Sequence, residues 1–240
     1  MDTIAQKQVG AFVAEDFRTA AVFTQYGIDF CCRGNRTLEE VCEKNGIETS
    51  ELVDSLERVL GTQSNQSIDY RSWPLDLLID YIEKKHHRYV EEKTPVIKQF
   101  LDKLCKVHGE RHPELFEVNE LFTASAGELA QHMKKEELVL FPFIKQLVKA
   151  ELTNTVVEAP GFGTVKNPIA MMMQEHDNEG VRFRKIAEIT ANYTPPADAC
   201  NTYRVTFAML EEFEQDLHLH IHLENNILFP AAEKLESKFC

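Results

Sequence analysis

Basic residues are scarce in this chain of 240, and no stretch of it stays apolar for long. Lys and Arg number 26 against 39 Asp and Glu, a formal charge of −13, with the acids spread throughout rather than gathered in a tail. Such a field repels phosphate backbones and anionic lipid, so nucleic acid and membrane surfaces are excluded as expected partners. The longest apolar runs, such as Leu138-Val139-Leu140-Phe141-Pro142-Phe143-Ile144, fall far short of a membrane span. The opening residues, Met1-Asp2-Thr3-Ile4-Ala5-Gln6, hold neither the basic region nor the apolar stretch of a signal peptide. Six cysteines, at 31, 32, 42, 105, 200 and 240, make no CxxC pair and no disulfide framework. Strand signals are sparse. These absences leave an all-α, cytoplasmic protein as the expectation, long enough for one large domain or two smaller ones.

Helical signals fill the remainder. Residues 1–62 read as a small domain of short helices. Within it Thr37-Leu38-Glu39-Glu40 is a capping box opening a helix that stops near Gly46. A second helix, from about Ser50 to Gly61, carries the stripe Leu52, Val53, Leu56, Val59 and Leu60. Residues 63–72 are polar and aperiodic and read as a linker. From 73 to 240 the pattern is four long amphipathic helices. The first starts at Pro74 and passes Pro95 to about Val107. The second runs from near Pro113 through Phe141-Pro142 to about Leu152. The third opens at Asn167-Pro168, as N-cap and first turn, and runs to about Asn192. The fourth runs from about Ala197 through Glu224. This is the layout of an antiparallel four-helix bundle.

One pattern occurs twice. His132 is followed by Glu136 and then Phe141-Pro142; His220 is followed by Glu224 and then Phe229-Pro230. A step of four residues turns an α-helix only about 40°, so each His and its Glu project from one face. A lone helical histidine is ordinarily a surface or satisfied core residue, but a duplicated HxxxE with matching Phe-Pro exits is not lone. Counting back 45 residues from His132 gives His87, and 44 from His220 gives His176. His87, His132, Glu136, His176, His220 and Glu224 then place two His on each of two metals with two bridging Glu. Such an all-N/O set suits di-iron or di-manganese better than the thiolate-rich sites of zinc. His86 and His87 are adjacent, and periodicity alone does not choose between them. Glu128 and Asp216 each precede a duplicated His by four, as outer partners of imidazole N–H groups, as the lining of a route for protons or metal, or as solvated acids. His108 and His112 sit near a helix end and are expected to be solvated.

Several stretches together resemble the iron–sulfur cluster repair di-iron proteins, a family with a hemerythrin-like bundle. They are His132 through Pro142, Glu175-His176-Asp177, His220 through Pro230, and the front segment Tyr26-Gly27-Ile28-Asp29-Phe30-Cys31-Cys32-Arg33-Gly34, which looks like the family's N-terminal cysteine motif. The resemblance covers nearly the whole chain. It implies two iron ions per chain, bridged by carboxylates and an oxo or hydroxo group. Carried over by position, the ligands fall on the six residues above, with His87 rather than His86. It also implies a cytoplasmic, commonly homodimeric protein that restores iron–sulfur clusters damaged by nitric oxide or peroxide. Its partners would be damaged iron–sulfur proteins, with nitric oxide or oxygen species as small ligands.

On this reading the chain stores or donates iron rather than acting as a conventional enzyme, and Cys31 and Cys32 offer thiolates to iron, a cluster or a redox partner. Two alternatives share the same residues: a hemerythrin-like carrier or sensor of oxygen or nitric oxide, and a di-iron reductase of nitric oxide or peroxide.

Overall fold

The computed structural model describes residues 2–61 and 68–239. Within them every regular element is helical, apart from a single β-bridge between Gln8 and Thr37. Five helices precede the bundle: α1 (Asp2–Ala5), α2 (Val9–Glu15), α3 (Thr19–Gln25), α4 (Leu38–Asn45) and α5 (Thr49–Gly61). The start and stop of α4 follow from its sequence. Thr37 accepts from the Glu40 N–H, Glu40 reaches back to the Thr37 N–H, and Gly46 ends the helix at φ 65°. Of the expected linker, 63–67 lies outside the described residues. Tyr70–Ser72 is not aperiodic but a 3₁₀ turn, capped by Asp69 and anchored by the buried Tyr70.

The first bundle rod is α6 (Leu75–Tyr81), a π-helical segment Ile82–His87, and α7 (Arg88–His108). The second is α8 (Glu114–Lys135), a π segment Glu136–Leu140, and α9 (Phe141–Thr153). The third is α10 (Lys166–Ile189). The fourth is α11 (Asn201–Leu223), a π segment Glu224–Leu228, and α12 (Phe229–Glu236). α7 packs on α8 and α11, and α8 packs on α10, completing the bundle. None of the described helices is long and apolar enough to cross a membrane.

Three boundaries depart from the sequence reading. Asn167 does not cap the third rod, which begins one residue earlier. The carboxylate of Glu236, from α12, accepts the Val165 N–H at 2.9 Å and the Thr164 hydroxyl, while Asn167 Nδ2 binds back to the Phe162 carbonyl. The third rod also ends at Ile189, because Ala191, Asn192 and Tyr193 are all left-handed, with φ of 48°, 53° and 55°. The fourth starts at Asn201 rather than Ala197 and continues past Glu224.

The core divides into two apolar clusters. One holds Val90, Leu129, Phe122, Phe183 and Phe213 with much of the front domain; the other holds Ile82, Leu140, Phe141, Met172, Leu228 and Phe229. Where each rod passes from one cluster to the other its interior positions turn polar: His87, His132, His176 and His220 all lie at that boundary.

Candidate metal centre

Three of the four rods deliver their polar side chains at or near an irregular turn, while the third presents His176 from the unbroken helix α10. π segments widen a helix by one residue and recur at functional sites. Here they end at His87, begin at Glu136 and begin at Glu224. In two of them the N–H five residues on, from Phe141 or Phe229, returns to the carbonyl of the glutamate. The prolines that follow, Pro142 and Pro230, have no N–H to give and would crowd a carbonyl one turn back in a regular α-helix. The widened turn removes that conflict.

The result is a deeply buried constellation. His87, Glu136 and Glu224 are 0% exposed, His176 and His220 1%, and His132 3%. Two groups of donor atoms form, each within 4.8 Å: His87, Glu136, His220 and Glu224 in one, and His132, Glu136, His176 and Glu224 in the other. Both carboxylates belong to both groups. His132 Nε2 lies 3.3 Å from Glu136 Oε2, His176 Nε2 3.1 Å from Glu224 Oε2, His87 Nε2 3.5 Å from Glu136 Oε2, and His220 Nε2 3.1 Å from Glu224 Oε1. His176 Nε2 and His132 Nε2 face each other at 3.1 Å. Neighbouring ligands of one ion with bonds of about 2.1 Å stand about 3 Å apart, so this spacing suits a cation.

The hydrogen bonding says the same. Both oxygens of Glu136, Glu224 Oε2 and His87 Nε2 are buried and, among the described residues, have no hydrogen-bond partner. A buried, uncompensated carboxylate costs several kcal/mol. Burial and the mutual repulsion of the two acids would push Glu136 up, yet His132 and His87 hold it below its ordinary range. Burial likewise opposes ionisation of Glu224, and His220 and His176 overcome it to hold that carboxyl well below. Burial would lower His132, but Glu136, Glu175 and Glu224 push it up to about 10. For His220 burial wins and the ring is held down. Protons thus stand where cations fit.

Three of the four imidazoles are fixed from behind. Nδ1 of His87 meets Glu137 Oε1 at 3.0 Å, Nδ1 of His132 meets Glu175 Oε2 at 2.9 Å, and Nδ1 of His176 meets Asn225 Oδ1 at 2.9 Å. Such contacts select the tautomer and leave Nε2 for a metal. Sequence reasoning assigned this role elsewhere. Glu128 instead binds Arg182 at 2.7 Å, and Asp216 binds His86 Nδ1 at 3.0 Å with Lys85 at 3.8 Å. A four-residue step N-terminal to the histidine carries each acid away from its ring. The true partners were adjacent in sequence, Glu137 beside Glu136, Glu175 beside His176 and Asn225 beside Glu224. Among the described residues His220 Nδ1 has no such partner; its ring is stacked on His86, centroids 5.6 Å apart and 7° from parallel.

Cys31 and Cys32 sit on the third rod. Their Sγ atoms are 3.7 Å apart, and Cys32 Sγ donates to the His176 carbonyl at 3.3 Å. Asp29 Oδ1 accepts the Cys32 N–H at 3.0 Å, and Asp29, Cys31 and Cys32 form a third close donor group. The neighbouring Cys32 thiol and full burial raise Cys31 well above the usual thiol range. Asn225 Nδ2 donates to the Cys31 carbonyl at 3.2 Å, so one amide joins the cysteine loop to the His176 ring. A cavity of about 220 Å³, lined by Glu128, Lys135, Glu175 and Glu179 among others, reaches His132 and His176.

Residues 78–232 match the hemerythrin HHE cation-binding domain family, and residues 5–60 match a domain of unknown function, DUF542. The chain is 34% identical over 233 residues to the iron–sulfur cluster repair protein YtfE of Musicola paradisiaca strain Ech703, covering 97% of this chain and 98% of the relative. It is 35% identical over 230 residues to the protein of that name from Yersinia pestis strain Pestoides F, covering 94% and 96%. It is 34% identical over 230 residues to the one from Yersinia pseudotuberculosis serotype IB strain PB1/+, again covering 94% and 96%. On its bundle, its front domain and its full-length relatives, the chain belongs to the iron–sulfur cluster repair family of hemerythrin HHE proteins.

Proposed function

We propose that the bundle holds two iron ions and delivers iron to iron–sulfur clusters damaged by oxidative or nitrosative stress. His87 and His220 would hold one ion and His132 and His176 the other, with Glu136 and Glu224 available to both. The observation that carries this reading is that two buried four-donor groups share both of their carboxylates. Nitrogen and oxygen donors without thiolate suit iron. The name of the relatives, iron–sulfur cluster repair protein, supports the client class.

Bound iron would supply Lewis acidity and exchangeable coordination positions, since two His and two shared carboxylates leave each ion short of six protein ligands. The chain's own groups do the rest. Glu137, Glu175 and Asn225 hold three rings in register, and the two apolar clusters keep bulk water away. The cavity at His132 and His176 gives the cargo ion an exit. Cys31 and Cys32, against the His176 carbonyl, offer thiolates to departing iron or an incoming cluster. The protein acts in the cytoplasm, as a homodimer.

His132→Ala and His220→Ala test the assignment: iron per chain, measured by plasma emission, falls sharply in both, and unchanged iron ends the proposal. Mössbauer spectra of the purified protein should show a coupled iron pair. Cys31→Ser with Cys32→Ser should leave iron content intact and impair recovery of a damaged cluster enzyme.

The cavity supports a second reading, because it would also admit a small ligand such as oxygen or nitric oxide to the His132 end. Reversible absorption bands on gas exposure, without cluster recovery, would favour a hemerythrin-like carrier. Multiple turnovers with an electron donor would favour a reductase.

A further inference from the structure

A second chemical constellation lies at the other end of the bundle. Cys200 is exposed and is the N-cap residue of α11. Its Sγ is 3.2 Å from Nε2 of His108, the last residue of α7. His108 is not solvated, as its place near a helix end had suggested, but 5% exposed. Its ring is held edge-on to Tyr203, centroids 5.4 Å apart. Among the described residues the thiol is its one hydrogen-bond partner, and its Nδ1 is buried with none. The charged groups around the pair are already engaged. His112 bridges Glu114 and Asp198 at 3.0 Å each, and Arg111 pairs with Asp198 at 2.7 Å. No carboxylate therefore competes for His108. The other described thiols are less open: Cys31, Cys42 and Cys105 are buried, and Cys105 donates to the Leu115 carbonyl at 3.3 Å.

A sulfur nucleophile within hydrogen-bond reach of a positioned imidazole is an activated pair. The N-terminus of a 23-residue helix adds a field that favours negative charge developing on that sulfur. We propose that Cys200 and His108 form a modification site that takes small-molecule disulfides. Cys200 Sγ attacks one sulfur of the reagent as its proton passes to His108 Nε2. A new S–S bond forms, the reagent's S–S bond breaks, and the second sulfur leaves as a thiolate that collects the proton from the imidazolium. The Cys200 sulfur is oxidised and the departing sulfur reduced, so the disulfide is the only oxidant required. The exposed Sγ admits a reagent of this size. At 1.5 Å per residue, α11 puts Cys200 about 30 Å from His220, so the site is chemically separate from the metal centre.

Hydroxyethyl disulfide, a neutral reagent, is added to the full-length protein at neutral pH, and adducts are located by peptide mass spectrometry. Cys200 should acquire the mixed disulfide first, and at least tenfold faster in the folded protein than in urea-unfolded chain. His108→Gln should slow the reaction at least tenfold, a threshold set below the roughly hundredfold or more that a positioned general base typically contributes. His108→Phe, which keeps an aromatic edge against Tyr203, should slow it equally. Equal rates in folded and unfolded chain, or undiminished rates in both His108 variants, would overturn the proposal. The first comparison needs no variant to fold.

Discussion

Nδ1 of His132 faces Glu175 at 2.9 Å while Nε2 faces Glu136 at 3.3 Å, so without metal this ring is a proton held between carboxylates. Two pH effects of opposite sign follow for the iron-free protein. His132 is raised to about 10 from an ordinary 6.5, so its stabilisation is complete below 6.5 and is lost as pH rises towards 10. Glu175 is lowered to about 2 from 4.5, first by the His132 hydrogen bond and then by Lys135 against the opposing effect of burial. Its stabilisation is therefore complete above 4.5 and is lost as pH falls towards 2. Thermal unfolding of iron-free Glu175→Gln should show its largest deficit against wild type between pH 4.5 and 6.5, shrinking on both sides; a deficit constant with pH would contradict the pairing. With iron present the same substitution acts through ring orientation, and iron affinity should fall by about tenfold to a hundredfold. Asn225→Ala should do as much, because among the described residues Asn225 is the only partner of His176 Nδ1. Competition with a chelator measures both.

At the scale of elements, the rods and their convergence were legible because apolar spacing and the duplicated HxxxE report on side chains a turn apart within one helix. The π segments were not. Periodicity over 5 or 6 residues cannot distinguish a widened turn from an ordinary one, although Pro142 and Pro230 carried the reason for two of them. The cap of α10 was illegible for a different reason: Glu236, which accepts the Val165 N–H, lies 71 residues away, and local rules favoured Asn167. Outer partners failed similarly, since a helical step from His132 to Glu128 fixes a face but not which neighbouring rod supplies Arg182. The prolines give the element its test. Pro142→Ala removes the steric reason for the widened turn and lets Glu136–Leu140 relax towards α geometry. Iron retention against a chelator should fall while the helical circular dichroism signal is kept. Retention equal to wild type would mean that packing around Phe141, not Pro142, holds the turn open.

Across the whole molecule, the front domain is fastened to the segment that carries Glu224. Asn226 Nδ2 donates to the Phe30 and Cys31 carbonyls at 3.3 Å each, beside the Asn225 contact to Cys31. Gly10 and Gly34 make this approach possible: the Gly10 N–H donates to the Gly34 carbonyl at 2.8 Å, and a Cβ on Gly34 would lie 2.7 Å from Asn226 Oδ1 and 2.9 Å from Gly10 Cα. Two backbones and one amide meet there with no room for a methyl group. Arg184 of α10 closes the other side, 2.9 Å from Asp29. The bundle thus covers the cysteine loop together with the front domain's own core, in which Cys31 is packed, and loosening the dock should uncover the pair. Gly34→Ala should raise the alkylation rate of Cys31, now 3% exposed, by at least tenfold with iodoacetamide. Iron per chain should stay near wild type, because all six candidate ligands lie on the bundle rods. Arg184→Ala, which leaves the glycine contact intact, should give a smaller increase. Cys31 remaining inert in Gly34→Ala would show that the cysteine loop is buried by its own fold, and that any iron reaching the thiols must pass through a closed interface.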